Sequence, residues 1–224
     1  MKKILAMLLA LVMVLSLAAC ASTQPAAEPA ASSDAPAESG KTYTVGVCQL
    51  VQHEALDAAT QGFVDALKEA LGDAVTIDVQ NASGDSVNCG TIVNGFVSKG
   101  VDLIMANATP ALTAAVSATA DIPILGTSIT AYGVALDIDD FNGTVGGNVS
   151  GTSDLADLQK QAQMILDWFP ETKTVGLLFC SAEPNSRYQI DEVRKALEAQ
   201  GVTCEEFAFT DSNDVSSVAQ KAAD

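Results

Sequence analysis

Histidine occurs once in this chain, at His53. Glu54 follows it, but no second histidine completes an H-E-x-x-H zinc helix. Phosphate-cradling glycine loops are also missing, with no G-x-x-x-x-G-K-[ST] and no G-x-G-x-x-G behind the first predicted strand. The run Gly126-Thr127-Ser128-Ile129-Thr130 starts like a nucleophile elbow and lacks the closing glycine, and His53 lies upstream, against the Ser, Asp, His order of that fold. These gaps argue against an enzyme and against a cofactor. The catalytic alternative left is a surface hydrolase or isomerase using His53 with a carboxylate.

Basic residues are scarce as well. Eleven Lys and Arg stand against 28 Asp and Glu, for a net charge of -17. Nucleic acid and anionic lipid surfaces repel such a chain, and solubility accounts for most of the acidity. Cys48, Cys89, Cys180 and Cys204 form no C-x-x-C pair and are widely spaced, which excludes a chelating cluster. Cys48 and Cys180 sit in apolar runs that read as buried strands, where a free thiol acts as a small hydrophobe.

What is present begins with an export signal. Lys2 and Lys3 precede an apolar run over residues 4–15 and small residues Ala18 and Ala19, the three zones of a secretory signal peptide. That run is shorter than the roughly 20 residues a spanning helix needs, and no later segment is long and apolar enough. Leu17-Ala18-Ala19-Cys20 resembles the lipobox of bacterial lipoproteins, which implies acylation (palmitate or a similar chain) of Cys20 and a lipid anchor in the bilayer. Residues 21–40 are almost wholly Ala, Ser, Pro, Thr, Glu, Asp and Gln, a composition expected of a flexible tether. The predicted division is a signal peptide over 1–19, lipidated Cys20 and linker over 20–42, a first lobe over 43–153 and a second over 154–224.

From Tyr43 onward, short apolar runs alternate with helical periods, the pattern of a parallel sheet covered by helices. Strands are predicted at 43–50, 75–79, 101–106, 122–126 and 148–152, then at 175–180 and 202–209. The first helix carries the stripe Leu56, Ala59, Phe63, Leu67, Ala70 and ends at Gly72; Asp85 caps the second, which points Cys89, Ile92, Val93 and Phe96 inward and closes at Gly100. Thr109 is expected as a cap ahead of Pro110, Asp154 opens a helix over 154–169, Asn185 or Ser186 caps the next, and Ser212 or Asn213 the last. The second series has two strands where the first has five, so a C-terminally truncated second lobe is expected.

In doubly wound sheets ligands bind beyond the carboxyl ends of the strands. Those ends carry Gln49, Gln52 and His53; Asn107 and Thr109; Thr127, Ser128 and Thr130; Ser153 and Asp154; then Ser181, Glu183, Asn185 and Ser186. Ala108-Thr109 at a helix start offers backbone N–H groups and a hydroxyl as a seat for a carboxylate, the alternative being a plain cap. Asp154 or Glu183 would pair with a ligand ammonium, with helix capping the alternative for Asp154. Tyr132 and Leu56 would line an apolar wall, and Leu56 equally fits a core position. His53 would stack or hydrogen-bond in the cleft, or simply be exposed.

Further motifs carry a family resemblance. Val45-Gly46-Val47, the run from Gln49 to Ala59, Gln80-Asn81-Ala82-Ser83-Gly84-Asp85, Ala108-Thr109-Pro110-Ala111, Gly146-Gly147-Asn148-Val149-Ser150-Gly151, Ser153-Asp154-Leu155 and Pro184-Asn185-Ser186 occur in one order over residues 43–224. In these the chain resembles the ABC transporter substrate-binding lipoproteins of the tryptophan/tyrosine type. The resemblance implies an α/β, type I periplasmic-binding-protein-like fold: two Rossmann-like lobes with parallel sheets, closing on a small-molecule ligand, often an aromatic amino acid, and delivering it to an ABC permease. It places the protein outside the cytoplasmic membrane. A sensory receptor of the same fold is the alternative. Ala131-Tyr132 replaces the relatives' usual Asp-Pro, and Cys180-Ser181-Ala182 their Asn-Pro-Gly.

Overall fold

The computed structural model describes residues 40–224; the signal segment, Cys20 and most of the linker lie outside them. Strands β1 (Tyr43–Gln49), β2 (Val75–Asn81), β3 (Leu103–Asn107), β4 (Ile124–Ile129) and β5 (Val149–Ser153) form one parallel sheet in the order β2-β1-β3-β4-β5. A second parallel sheet pairs β6 (Thr174–Cys180) with β7 (Thr203–Phe209). The helices are α1 (Glu54–Leu71), α2 (Ser86–Lys99), α3 (Thr109–Ala118), the one-turn α4 (Tyr132–Ala135), α5 (Leu158–Trp168), α6 (Pro184–Glu198) and α7 (Val215–Ala223). Among the described residues no helix is long and apolar enough to cross a membrane.

Side chains alternate across each strand, so the five-stranded sheet buries both faces. Val45, Val47 and Met105 meet Phe63 and Leu67 of α1 on one face. Cys48, Ile104 and Ile124 meet Cys89, Val93, Phe96, Leu112 and Ala115 of α2 and α3 on the other. Phe96 is fully buried, and burial of such a side chain contributes about 1.5–3 kcal/mol. Leu177, Phe179 and Ile190 form a separate cluster between β6 and α6, while Ala162 of α5 packs with Leu197 and Val202.

Helix ends follow local chemistry at several predicted points. Gly72 (φ 54) and Gly100 (φ 65) terminate α1 and α2, and the Asp85 carboxylate accepts the Val87 N–H at 2.7 Å. Others differ. Thr109 is the first residue of α3, not its cap; that position is Ala108, at φ 88, with no capping side chain. The predicted helix over 154–169 begins at Leu158 instead, because Asp157 accepts the Lys160 N–H at 3.1 Å while the Asp154 N–H is drawn to the Ile129 carbonyl at 3.0 Å. Glu183 takes the cap position of α6, since Pro184 occupies the first turn and displaces Asn185 and Ser186 into the helix. Asp214, one residue beyond Asn213, precedes α7.

Candidate functional site

Strand register builds a polar row. Asn81 pairs with Gln49, Gln49 with Asn107, and Asn107 with Thr127, so four adjacent strands present one polar side chain each along the carboxyl edge, all on the α1 face. The strand order reverses between β1 and β3, which makes this edge the switch point where such sheets bind ligands.

Two members of the row are tied to α1. The Thr60 hydroxyl donates to Gln49 Oε1 at 2.6 Å, and Asn107 Nδ2 donates to Thr60 Oγ1 at 2.9 Å and to the Leu56 carbonyl at 2.8 Å. Gln49 Nε2 donates to Asp57 Oδ1 and to the Val51 carbonyl. Gln49, Thr60 and Asn107 are all buried. Asn107 Oδ1 and Thr109 Oγ1 are buried as well and have no partner, an arrangement that ordinarily costs about 1–3 kcal/mol per group. They adjoin the start of α3, whose first intrahelical donor is Leu112, so the Thr109 and Ala111 N–H groups precede it without an intrahelical acceptor.

The other residues from the sequence reading are dispersed. His53 caps α1, its Nδ1 accepting the Ala55 N–H at 3.2 Å, which leaves only Nε2 for anything else. Leu56 is half-buried against the main core. Ser128 adopts φ 56 where the pairing of β4 and β5 shifts register. Thr130 is buried, with its carbonyl accepting from Ser153 Oγ at 2.9 Å. Tyr132 is buried, lining a cavity with Thr130, Leu155 and Tyr188; its hydroxyl donates toward the Gly126 and Thr152 carbonyls at 3.1 and 3.3 Å, and desolvation pushes the phenol up to about 12. Asp154 is exposed.

A cleft of about 440 Å³ separates the two sheets. Leu50, Val51 and Gly84 line one side, and Phe179, Cys180, Glu183, Ser186, Gln189 and Asp211 are among those lining the other. Glu183 accepts from Ser186 Oγ at 3.0 Å; Asn185 Oδ1 is buried without a partner. Burial raises the Cys180 thiol, with the Glu183 and Asp211 carboxylates pushing the same way against backbone hydrogen bonds from Ala182 and Glu183 that lower it. Gln49 borders a separate open cavity of about 680 Å³ with Asp57, Thr60 and Asn81. The predicted set is therefore split between the cleft wall and the sheet edge.

The sequence model of the family described as ABC transporter substrate binding protein matches residues 44–224. The chain belongs to this family. The tyrosine-binding protein of Clostridioides difficile (strain R20291) is 34% identical over 221 residues, covering 96% of this chain and 62% of that relative. The ABC domain in complex with L-Trp from Streptococcus pneumoniae superposes with a TM-score of 0.73 at 36% identity, over 80% of this chain and 61% of that one. A conserved domain protein from Vibrio cholerae gives 0.76 at 32%, over 82% of this chain and 62% of that one. This substrate-binding protein thus spans less than two thirds of these relatives' length. Its fold is that of type I periplasmic binding proteins, with a five-stranded parallel sheet followed by one of two strands.

Thr60, bonded to the polar row, and several residues lining the cleft are not among those predicted from the sequence. Thr60 was hidden inside a helical apolar stripe, although a hydroxyl four residues after Leu56 and three before Phe63 is itself a signal of an inward polar contact. Phe179, Gln189 and Asp211 enter the cleft through the pairing of β6 with β7 and the docking of α6, which no local pattern encodes.

Proposed function

We propose that this substrate-binding protein is a lipoprotein held by acylated Cys20 on the outer face of the cytoplasmic membrane, where it captures an aromatic amino acid and passes it to an ABC permease. Two relatives, a tyrosine-binding protein and an ABC domain in complex with L-Trp, support that ligand class. The observation that carries the reading is the buried, unpartnered Thr109 hydroxyl beside the free N–H groups of α3, a seat for a carboxylate oxygen. Glu183 on the cleft wall suits the ammonium, as does Asp154 by its charge, and Phe179, which lines the same cleft, suits the ring. Ser128, Thr127, Thr130 and Asn185 stand in this proposal as flanking groups at the strand ends, and Gln49 with Asn107 as the platform that α1 holds in place. We take the lobes to divide between Ser153 and Asp154.

Calorimetric titration of the full-length protein with L-tryptophan, L-tyrosine and L-leucine tests this. Aromatic ligands bind and leucine binds more weakly; Thr109→Val weakens aromatic binding at least about tenfold, the value of one hydrogen bond to a charged group. Failure of every amino acid to bind, or unchanged affinity in Thr109→Val, overturns the ligand assignment.

A further inference from the structure

Two buried cysteines carry chemistry that ligand capture does not use. β1 turns Val45 and Val47 toward α1, so Gly46 and Cys48 face α2. The Phe96 ring lies directly on Gly46, where an added Cβ would stand 2.5 Å from it. As the connection between parallel strands β2 and β3, α2 runs against the strand direction. Moving two residues along β1 from Gly46 reaches Cys48; moving two turns back along α2 from Phe96 reaches Cys89. Both cysteines are fully buried in one cluster with Val93 and Ala82. Each thiol bears on the other's titration: the Cys89 sulfur together with burial raises Cys48 far above the usual thiol range, while the Cys48 side chain lowers Cys89.

We infer that Cys48 and Cys89 are a dithiol that closes into a disulfide, fastening β1 to α2 beneath the loop that borders the cleft. Both side chains enter the same buried cluster from facing elements, the placement that a disulfide's Cβ–Cβ separation of about 3.5–4.5 Å requires. The oxidant is a small-molecule disulfide. The Cys89 thiolate attacks one of its sulfurs, breaking its S–S bond and releasing one thiol. Cys48 then gives up its proton and attacks the Cys89 sulfur of the mixed disulfide, releasing the second thiol. Two cysteines lose two electrons and two protons, and the oxidant becomes two thiols. Burial shields both sulfurs in the closed core, so the exchange runs while the chain folds or when α2 opens. The remaining pair cannot compete by the same route: Cys180 is paired with Phe209 and Cys204 with Val175, five residues away along β6, roughly 16 Å and far beyond bridging distance.

Peptide mapping decides the matter. The full chain is refolded from urea in a glutathione redox buffer, alkylated, and digested with trypsin without reduction. Cleavage after lysine places Cys48 in the peptide 42–68 and Cys89 in 69–99. The expected product is these two peptides joined, lighter than their sum by two hydrogen atoms, with Cys180 and Cys204 alkylated. Alkylation of both Cys48 and Cys89, or their recovery joined only to glutathione or to other cysteines, overturns the inference. As a second readout, a reductant lowers the urea midpoint of the oxidised wild type and leaves that of Cys89→Ala unmoved; equal shifts in both overturn it too.

Discussion

The Thr60 hydroxyl donates a hydrogen bond to Gln49 Oε1 at 2.6 Å and accepts one from Asn107 Nδ2 at 2.9 Å, so a single helical side chain joins the ends of two neighbouring strands. Replacement by valine keeps the volume and removes both hydrogen bonds, leaving Gln49 Oε1 unsatisfied and Asn107 Nδ2 with only the Leu56 carbonyl. Thr60→Val is expected to lose about 1–3 kcal/mol in urea unfolding, the cost of one stranded buried group, while Thr60→Ser loses much less.

Gly151 is irreplaceable for a steric reason. Its φ of 152 is rare for any side chain, and an added Cβ would collide with the Gly126 carbonyl and the Tyr132 hydroxyl. Gly151→Ala is expected to destabilise the protein by about 2–3 kcal/mol, as overpacking of a rigid core does, read as a lower thermal midpoint. A midpoint equal to wild type would mean that β5 does not press on Tyr132.

Tyr132 makes the stability pH-dependent in alkali. Its folded pKa, about 12, exceeds the unfolded value near 10, so the folded state holds the proton longer. The contribution is intact below pH 10 and is lost as pH rises toward 12, by about 2–3 kcal/mol in all. Urea midpoints measured between pH 9 and 12 should fall with this slope in the wild type and lose it in Tyr132→Phe.

Trp168, the sole tryptophan, is 76% exposed at the end of α5, beside exposed Met164 and Phe169. Its fluorescence in this chain is expected to be nearly as red-shifted, and as open to acrylamide quenching, as in urea. A blue-shifted, unquenched emission would contradict the exposed placement.

Cys20→Ser is expected to move the protein from the membrane fraction to the soluble one, since firm attachment requires two or more acyl chains. Retention of the variant on membranes, seen by fractionation and immunoblotting, would refute the anchor.

Six strands were legible as short runs rich in apolar residues between turn residues, a local property, and β5 only from the turn-rich stretch before it. Their order was not, since pairing is decided by partners far along the chain: β1 lies between β2 and β3 only once α1 and α2 have crossed opposite faces. The same limit misplaced the start of α5. Asp154-Leu155 and Asp157-Leu158 present the same local signal three residues apart, and only the Ile129 carbonyl, by claiming the Asp154 N–H, selects the second. Of the candidate site, polar strand ends could be read off, but not which of them are consumed internally. His53 and Tyr132 satisfy the protein itself, whereas Thr109 and Asn107 keep an oxygen free.

The place of β1 between β2 and β3 has a consequence for biogenesis. It is the first strand to emerge from the ribosome, yet one of its two edges stays unpaired until Leu103–Asn107 has followed. Val45 and Val47 thus spend that interval as an open, sticky template, when a neighbouring unfinished chain could add to it in place of β3. The sheet is set late, by its third strand, and a helper that shields nascent apolar segments would have its greatest effect on the yield of native protein before residue 107 appears.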